Sequence, residues 1–191
     1  MPFKVGVFVG SLSKRSINRK LAKAIMKLAQ GSGLELVEIP IGNLPLYNYD
    51  FDDDYPPEGR ALKKAIEDVD ALIFVTPEYN RSIPGSLKNA IDWGSRPWGK
   101  NSFAKKPSAV IGTSPGKIGT AVGQQHLRSI LSFVNSPELA QPEAYIEFTN
   151  GLIDDDGTIT DESVRGFIQG WLDSFEDFVG KVTSVTQPAR T

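Results

Sequence analysis

The chain of 191 residues contains no cysteine. Disulfides, thiolate nucleophiles and thiolate-held metals are therefore all excluded. Histidine is almost as scarce: His126 stands alone, which leaves no His-based metal cluster. Neither sign of charge dominates, with 21 basic against 23 acidic residues and a formal net charge of −2. That balance gives no electrostatic footprint for nucleic acid or for an anionic membrane. No stretch reaches the roughly 18 apolar residues needed to span a bilayer. The opening segment, residues 1–9, is too short in apolar length for a signal peptide and reads as a first strand, so the expected location is the cytoplasm. Internal repeats, low-complexity tracts and domain linkers are missing too. The length suits one domain with a full core, expected over residues 1–182. Residues 183–191 have little to bury and are expected to form a frayed tail.

What is present is an alternation of strands and helices. Apolar runs of strand length lie at 3–9, 34–39, 70–76, 108–113 and 144–148. Between them, helical spacing places Ile17, Leu21, Ala24, Ile25 and Leu28 on one face of a first helix. A second helix over 58–68 buries Leu62, Ala65, Ile66 and Val69, and a third follows Pro84. A fourth runs to about Phe133. A last, over 161–179, presents Val164, Phe167, Ile168, Trp171, Leu172 and Phe175 to the core. This order implies right-handed crossovers and a three-layer α/β domain. Asp50, Asp52, Asp53 and Asp54 cluster in a turn-rich stretch that reads as a solvated loop with no metal role.

Two strand-to-helix loops carry chemistry. In the first, hydroxyls at Ser11, Ser13 and Ser16, the cations Lys14 and Arg15 and a helix N-terminus converge within residues 10–18. Exposed amides and a helix N-terminus suit a phosphate. The loop is neither a Walker A motif nor a dinucleotide fingerprint. N-capping alone explains Ser16, but the first such loop is where this architecture binds a mononucleotide phosphate. The second loop, 76–84, follows the nearly unbroken apolar run before Thr76 and ends at Pro84, which suits the first turn of a helix. Tyr79 offers a ring for stacking, Asn80 both donor and acceptor, and the backbone its amides, a set that fits a flat ligand with polar edges.

Pro77-Glu78-Tyr79-Asn80, followed by Ser82, Pro84-Gly85, Leu87-Lys88-Asn89-Ala90 and Asp92-Trp93, resembles the signature loop of the NAD(P)H-dependent FMN reductases. That flavodoxin-like family includes bacterial quinone, chromate and azo-dye reductases, and the likeness runs from about Val5 to Phe178. The resemblance implies a five-stranded parallel sheet of order 2-1-3-4-5 with helices on both faces. It implies bound FMN, with Ser11, Ser16 and Asn18 at the family's phosphate-contact positions; Ser13, Arg15 and Ile17 of the same loop are expected to bind the cofactor with them. It also implies Pro77, Glu78, Tyr79, Asn80, Arg81 and Ser82 along the isoalloxazine ring, and Ser114 and Gly116 at its pyrimidine edge. Many members carry arginine where this chain has Ser13, and Arg15 stands where they often have glycine. Arg81 and Arg96 are expected to flank the cleft, either to meet the phosphates of a nicotinamide nucleotide or as exposed structural arginines. The implied activity is FMN-dependent NAD(P)H:acceptor oxidoreduction, by ping-pong hydride transfer through the flavin to a quinone, chromate, an azo dye or free flavin. NADPH or NADH is the reductant, no side chain is an obligate catalyst, no metal is needed, and a homodimer or homotetramer is expected. The alternative is a flavodoxin-like electron carrier or FMN-binding module without turnover.

One rival motif is present. Gly112-Thr113-Ser114-Pro115-Gly116 fits G-x-S-x-G between a strand and a helix, as a nucleophile elbow would. No acid lies between Ser114 and His126, and Pro115 has no N–H to donate to an oxyanion. The serine-hydrolase reading is therefore set aside.

Overall fold

The computed structural model describes residues 1–186. Its sheet contains β1 (Phe3–Val9), β2 (Leu34–Glu38), β3 (Ala71–Val75), β4 (Ser108–Ser114) and β5 (Ala144–Glu147). All pairings are parallel and the order is β2-β1-β3-β4-β5, as expected. All five residues of β3 are buried, because the strand is covered on both faces.

The two faces are covered by different helices. α1 (Ile17–Leu28) and α5 (Glu162–Thr186) pack on Val5, Val7, Val9, Ile73, Val75 and Ile111. α2 (Pro57–Glu67), α3 (Gly85–Ser95) and α4 (Ala121–Phe133) pack on Phe8, Leu72, Phe74 and Val110. Alternate residues of each strand thus feed opposite cores. Fully burying one such side chain is worth about 1.5–3 kcal/mol. Trp93 is wholly buried at the centre of the second core, and its indole N–H donates to Pro45 O at 2.7 Å, tying the long β2–α2 connection to α3.

Three expectations are corrected. Pro84 is the N-cap of α3 rather than part of its first turn; extended backbone at ψ 144° suits a residue that has no N–H to contribute. α5 does not stop at Val179, nor the ordered chain at 182: the helix runs to Thr186. Val179 is fully buried, and beyond it the hydroxyls of Thr183 and Thr186 donate back to Val179 O and Val182 O, so the last turns are stabilised locally. The rest of the expected tail, 187–191, lies outside the described residues. Phe167 is 41 % exposed and lies off the buried stripe of Ile168, Trp171, Leu172, Phe175 and Val179.

Candidate functional site

Register brings the candidate loops to one edge. Val9 pairs with Val75, and Val75 with Ile111, so β1, β3 and β4 end at one level. The sheet order turns between β1 and β3, the switch point at which open α/β sheets bind ligands beyond the carboxyl ends of the strands. Gly10 N donates to Val75 O, and Ser86 Oγ donates to Gly10 O at 3.0 Å. A side chain at position 10 would sit 3.3 Å from Leu87 and Pro77, which is why glycine ends β1. Ser86 escaped the sequence analysis, although it lies inside the signature segment.

The first loop is a cradle of unpaired donors. Ser16 caps α1, its Oγ accepting from Arg19 N at 3.1 Å. Ser13 Oγ accepts from Arg15 N and Ser13 O from Ser16 N, which winds the loop tightly before the helix. The N–H groups of Ser11, Leu12, Ile17 and Asn18 have no partner among the described residues, and neither has the hydroxyl of the nearly buried Ser11. Lys14 and Arg15 are exposed and share one surface depression with Ser16 and Ile17. Free amides at a helix start beside two cations fit a phosphate dianion.

Asn18 enters differently from expectation. Its side chain is buried and faces β4, with Nδ2 donating to Thr113 O at 2.9 Å and Oδ1 accepting from Thr113 N at 3.0 Å. An amide matches both backbone groups of Thr113 at once, so the side chain staples α1 to β4 and only the Asn18 N–H is left for a phosphate. Nothing in the sequence around Asn18 points to Thr113, 95 residues away.

The second loop is a tight reversal. Tyr79 and Ser82 exchange both backbone hydrogen bonds at 2.9 Å, while Asn80 and Arg81 have φ of 50° and 64°. Two central residues with positive φ make a type I′ turn. The turn leaves Tyr79 half exposed, with the N–H groups of Asn80 and Arg81 unpaired among the described residues. Glu78 is committed to the fold: Oε2 accepts from Gly123 N at 3.0 Å and Oε1 from Arg81 Nη1 at 3.0 Å. Thr120 provides no side-chain cap for α4, so the Glu78 carboxylate fills that role where the helix dipole favours an anion. Arg81 thus reaches the loop. Arg96 does not flank the chain's own cleft: α3 carries the backbone about 16 Å away before it. Its guanidinium is held by Asp52 and Tyr47. Burial, helped by Asp52, pushes the Tyr47 phenol above its ordinary pKa.

At the end of β4, Ser114 Oγ donates to Gly116 O at 3.0 Å. His126 Nδ1 instead meets Ser82 Oγ at 3.1 Å. Ser114 therefore has no imidazole partner, and the hydrolase arrangement does not form.

A phosphate cradle after β1, a flat aromatic turn after β3 and a short loop after β4 define a flavodoxin-like mononucleotide-binding protein. Comparison with known proteins narrows the class. The sequence model of the NADPH-dependent FMN reductase family matches residues 3–151. A 2-hydroxy-1,4-benzoquinone reductase of Burkholderia sp is 46% identical over 179 residues, 94% of this chain and 97% of that protein. A quinone reductase of Pseudomonas putida is 46% identical over 178 residues, covering 93% and 95% of the two chains. The solved structure of FerB, a flavoenzyme NAD(P)H:(acceptor) oxidoreductase from Paracoccus denitrificans, superposes with a TM-score of 0.90 at 49% identity, over 94% of this chain and 98% of that one. The chain belongs to the NADPH-dependent FMN reductase family, whose members are FMN-dependent NAD(P)H:acceptor oxidoreductases.

Proposed function

We propose that the acceptor is a quinone, reduced to the hydroquinone at the expense of NADPH or NADH and one proton. The observation that carries this reading is the meeting of three loops at the β1/β3 switch point, with unpaired donors in one and a half-exposed aromatic turn in another. When bound, FMN supplies the redox chemistry, accepting hydride from the nicotinamide and passing the electrons to the acceptor. The chain's own residues bind and orient. Ser11, Ser13 and the N–H groups of Ile17 and Asn18 hold the phosphate, with Arg15 and Lys14 supplying charge and Ser16 fixing the start of the helix. Pro77, Tyr79, Asn80 and Arg81 lie along the ring, while Glu78 and Ser82 brace their turn from behind. Ser114 and Gly116 close the far edge. With Glu78 neutralised by Arg81 and a helix start, no uncompensated carboxylate of the turn opposes an anionic nicotinamide nucleotide.

The names of the relatives from Burkholderia and Pseudomonas putida support a quinone over chromate or an azo dye. A nicotinamide reductant fits work in the cytoplasm. Among the described residues, no helix is long and apolar enough to cross a membrane. Trp98 and Phe133 are each at least 80 % exposed and line one surface depression, and this apolar surface supports self-association into a homodimer or larger assembly. Anaerobic assays with NADPH and NADH against a benzoquinone, chromate, an azo dye and free FMN test the proposal. Rapid multiple turnover with the quinone is expected. Flavin reduction without catalytic turnover on any acceptor would make the chain an electron carrier instead.

A further inference from the structure

The turn that carries Tyr79 and Asn80 is held from outside as well as by its own two hydrogen bonds. Glu78 Oε2 accepts from Gly123 N at 3.0 Å, and Ser82 Oγ meets His126 Nδ1 at 3.1 Å. Gly123 and His126 are three residues apart on α4, so both attachments come from one helix face. The surfaces are close: a methyl group at position 123 would lie 3.0 Å from Ser82 O. Such bracing matters here because Asn80 and Arg81 both hold left-handed backbone. Residues other than glycine keep that conformation only where their surroundings impose it.

Of these two attachments, one is open to solvent. Glu78 is nearly buried and paired with Arg81, whereas His126 is exposed and its one hydrogen bond among the described residues is to Ser82. We propose that His126 is a positioning residue: through Ser82 it fixes the turn that faces the cofactor. A ring nitrogen of imidazole can donate to the Ser82 hydroxyl or accept from it, depending on tautomer.

The charged groups around the imidazole are engaged elsewhere. Glu78 and Arg81 of the turn pair with each other, Glu143 accepts from Gln125, and Arg128 on α4 points to Glu138 and Leu139 O. None of these is hydrogen-bonded to His126. The inference rests on the reading that the 79–82 turn faces FMN, and is independent of which acceptor is reduced.

Two measurements on the full-length chain test it. Amide exchange without ligand reads the clamp itself: His126→Phe should speed exchange at Tyr79 and Ser82 while leaving the β3 amides unchanged. FMN titration reads the consequence. His126→Phe and Ser82→Ala should each weaken FMN about fivefold to tenfold, as loss of one hydrogen bond worth about 1–1.4 kcal/mol implies. The double variant should be no worse than either single one. His126→Gln keeps a donor and an acceptor, so it should restore most of the affinity that His126→Phe loses. Unchanged exchange at Tyr79 and Ser82, or His126→Gln binding FMN no better than His126→Phe, would overturn the proposal. Faster exchange with no loss of FMN affinity would uphold the clamp and overturn the placement of the turn at the cofactor.

Discussion

Arg15 and Asn18 stand three residues apart, and their side chains do unlike work. Arg15 is exposed, and its side chain has no hydrogen-bond partner among the described residues. The resemblance locates this family's usual phosphate arginine at position 13, where this chain has serine. The Ser13 hydroxyl accepts from Arg15 N, which makes it a loop-winding group as well as a weak phosphate partner. Arg15 is then the nearest guanidinium. Its exposure puts its contribution at the low end for a charge-assisted bond, about 1.5 kcal/mol, or roughly tenfold in affinity. Arg15→Ala should weaken FMN by that factor and flatten its salt dependence, and Ser13→Arg in that background should restore part of the loss. A dissociation constant unchanged by Arg15→Ala in apo-protein titrations would leave Arg15 as a solvated residue. For Asn18→Ala the expected loss is mainly in stability. Two buried hydrogen bonds disappear and both polar groups of Thr113 are orphaned, so unfolding free energy should fall by about 2–4 kcal/mol. Denaturant titration with and without FMN checks this: a loss confined to FMN affinity would mean that the side chain serves the ligand after all.

Among the elements, the polar connection between β5 and α5 has a visible task. Lys20 pairs with Asp155 at 2.7 Å and Lys27 with Asp156 at 3.1 Å, while Thr158 donates to Asp156 from its backbone and hydroxyl. These bonds lash residues 154–158 along the outside of α1. Hydrogen bonds from Thr158, with Lys27 beside them, hold the Asp156 carboxyl down to about 2. A carboxyl whose folded pKa is depressed adds stability that is fully present above its unfolded value near 4 and is lost as pH falls towards about 2. Asp156→Asn should therefore lower the melting temperature at pH 7, and the gap to wild type should shrink as pH is taken from about 4 to about 2. A gap independent of pH would assign the effect to the shape of the loop instead.

The same scale shows what could be read in advance. Strands, helices and their alternation were legible because buried parallel strands are apolar throughout and amphipathic helices repeat every 3.6 residues. The two main site loops were legible because they fall between such elements and carry unusual polar residues. What escaped was side-chain use across long separations. Asn18 turned to Thr113, Glu78 to Gly123, and Arg96 to Asp52, each a choice made by tertiary packing after the local pattern was satisfied. The far end of α5 was missed for the opposite reason. Its last turns are stabilised by hydroxyl-to-carbonyl bonds within the helix, which leave no apolar periodicity to detect.

For the whole molecule, one mouth at the sheet edge must serve both donor and acceptor, since all three loops meet there. Double-reciprocal plots of initial rate at several quinone concentrations should accordingly be parallel. Lines that intersect would require the nicotinamide and the quinone to be bound together.

The staple between Asn18 and Thr113 also sets an order of events during synthesis. The phosphate loop leaves the ribosome early, yet the backbone that anchors its helix lies 95 residues behind it. The turn at 79–82 waits longer still, because the amide that donates to Glu78 belongs to Gly123. Until about two thirds of the chain has emerged, both loops are attached to the sheet at only one end, and contacts of such separation form late. Flavin capture should then be a terminal step of biogenesis rather than a nucleus for it. Ribosome-stalled chains exposed only to residue 107 should fail to quench FMN fluorescence, and those exposed through residue 150 should begin to. Quenching by the shorter chains would mean that the nascent phosphate loop organises around FMN before its anchor arrives.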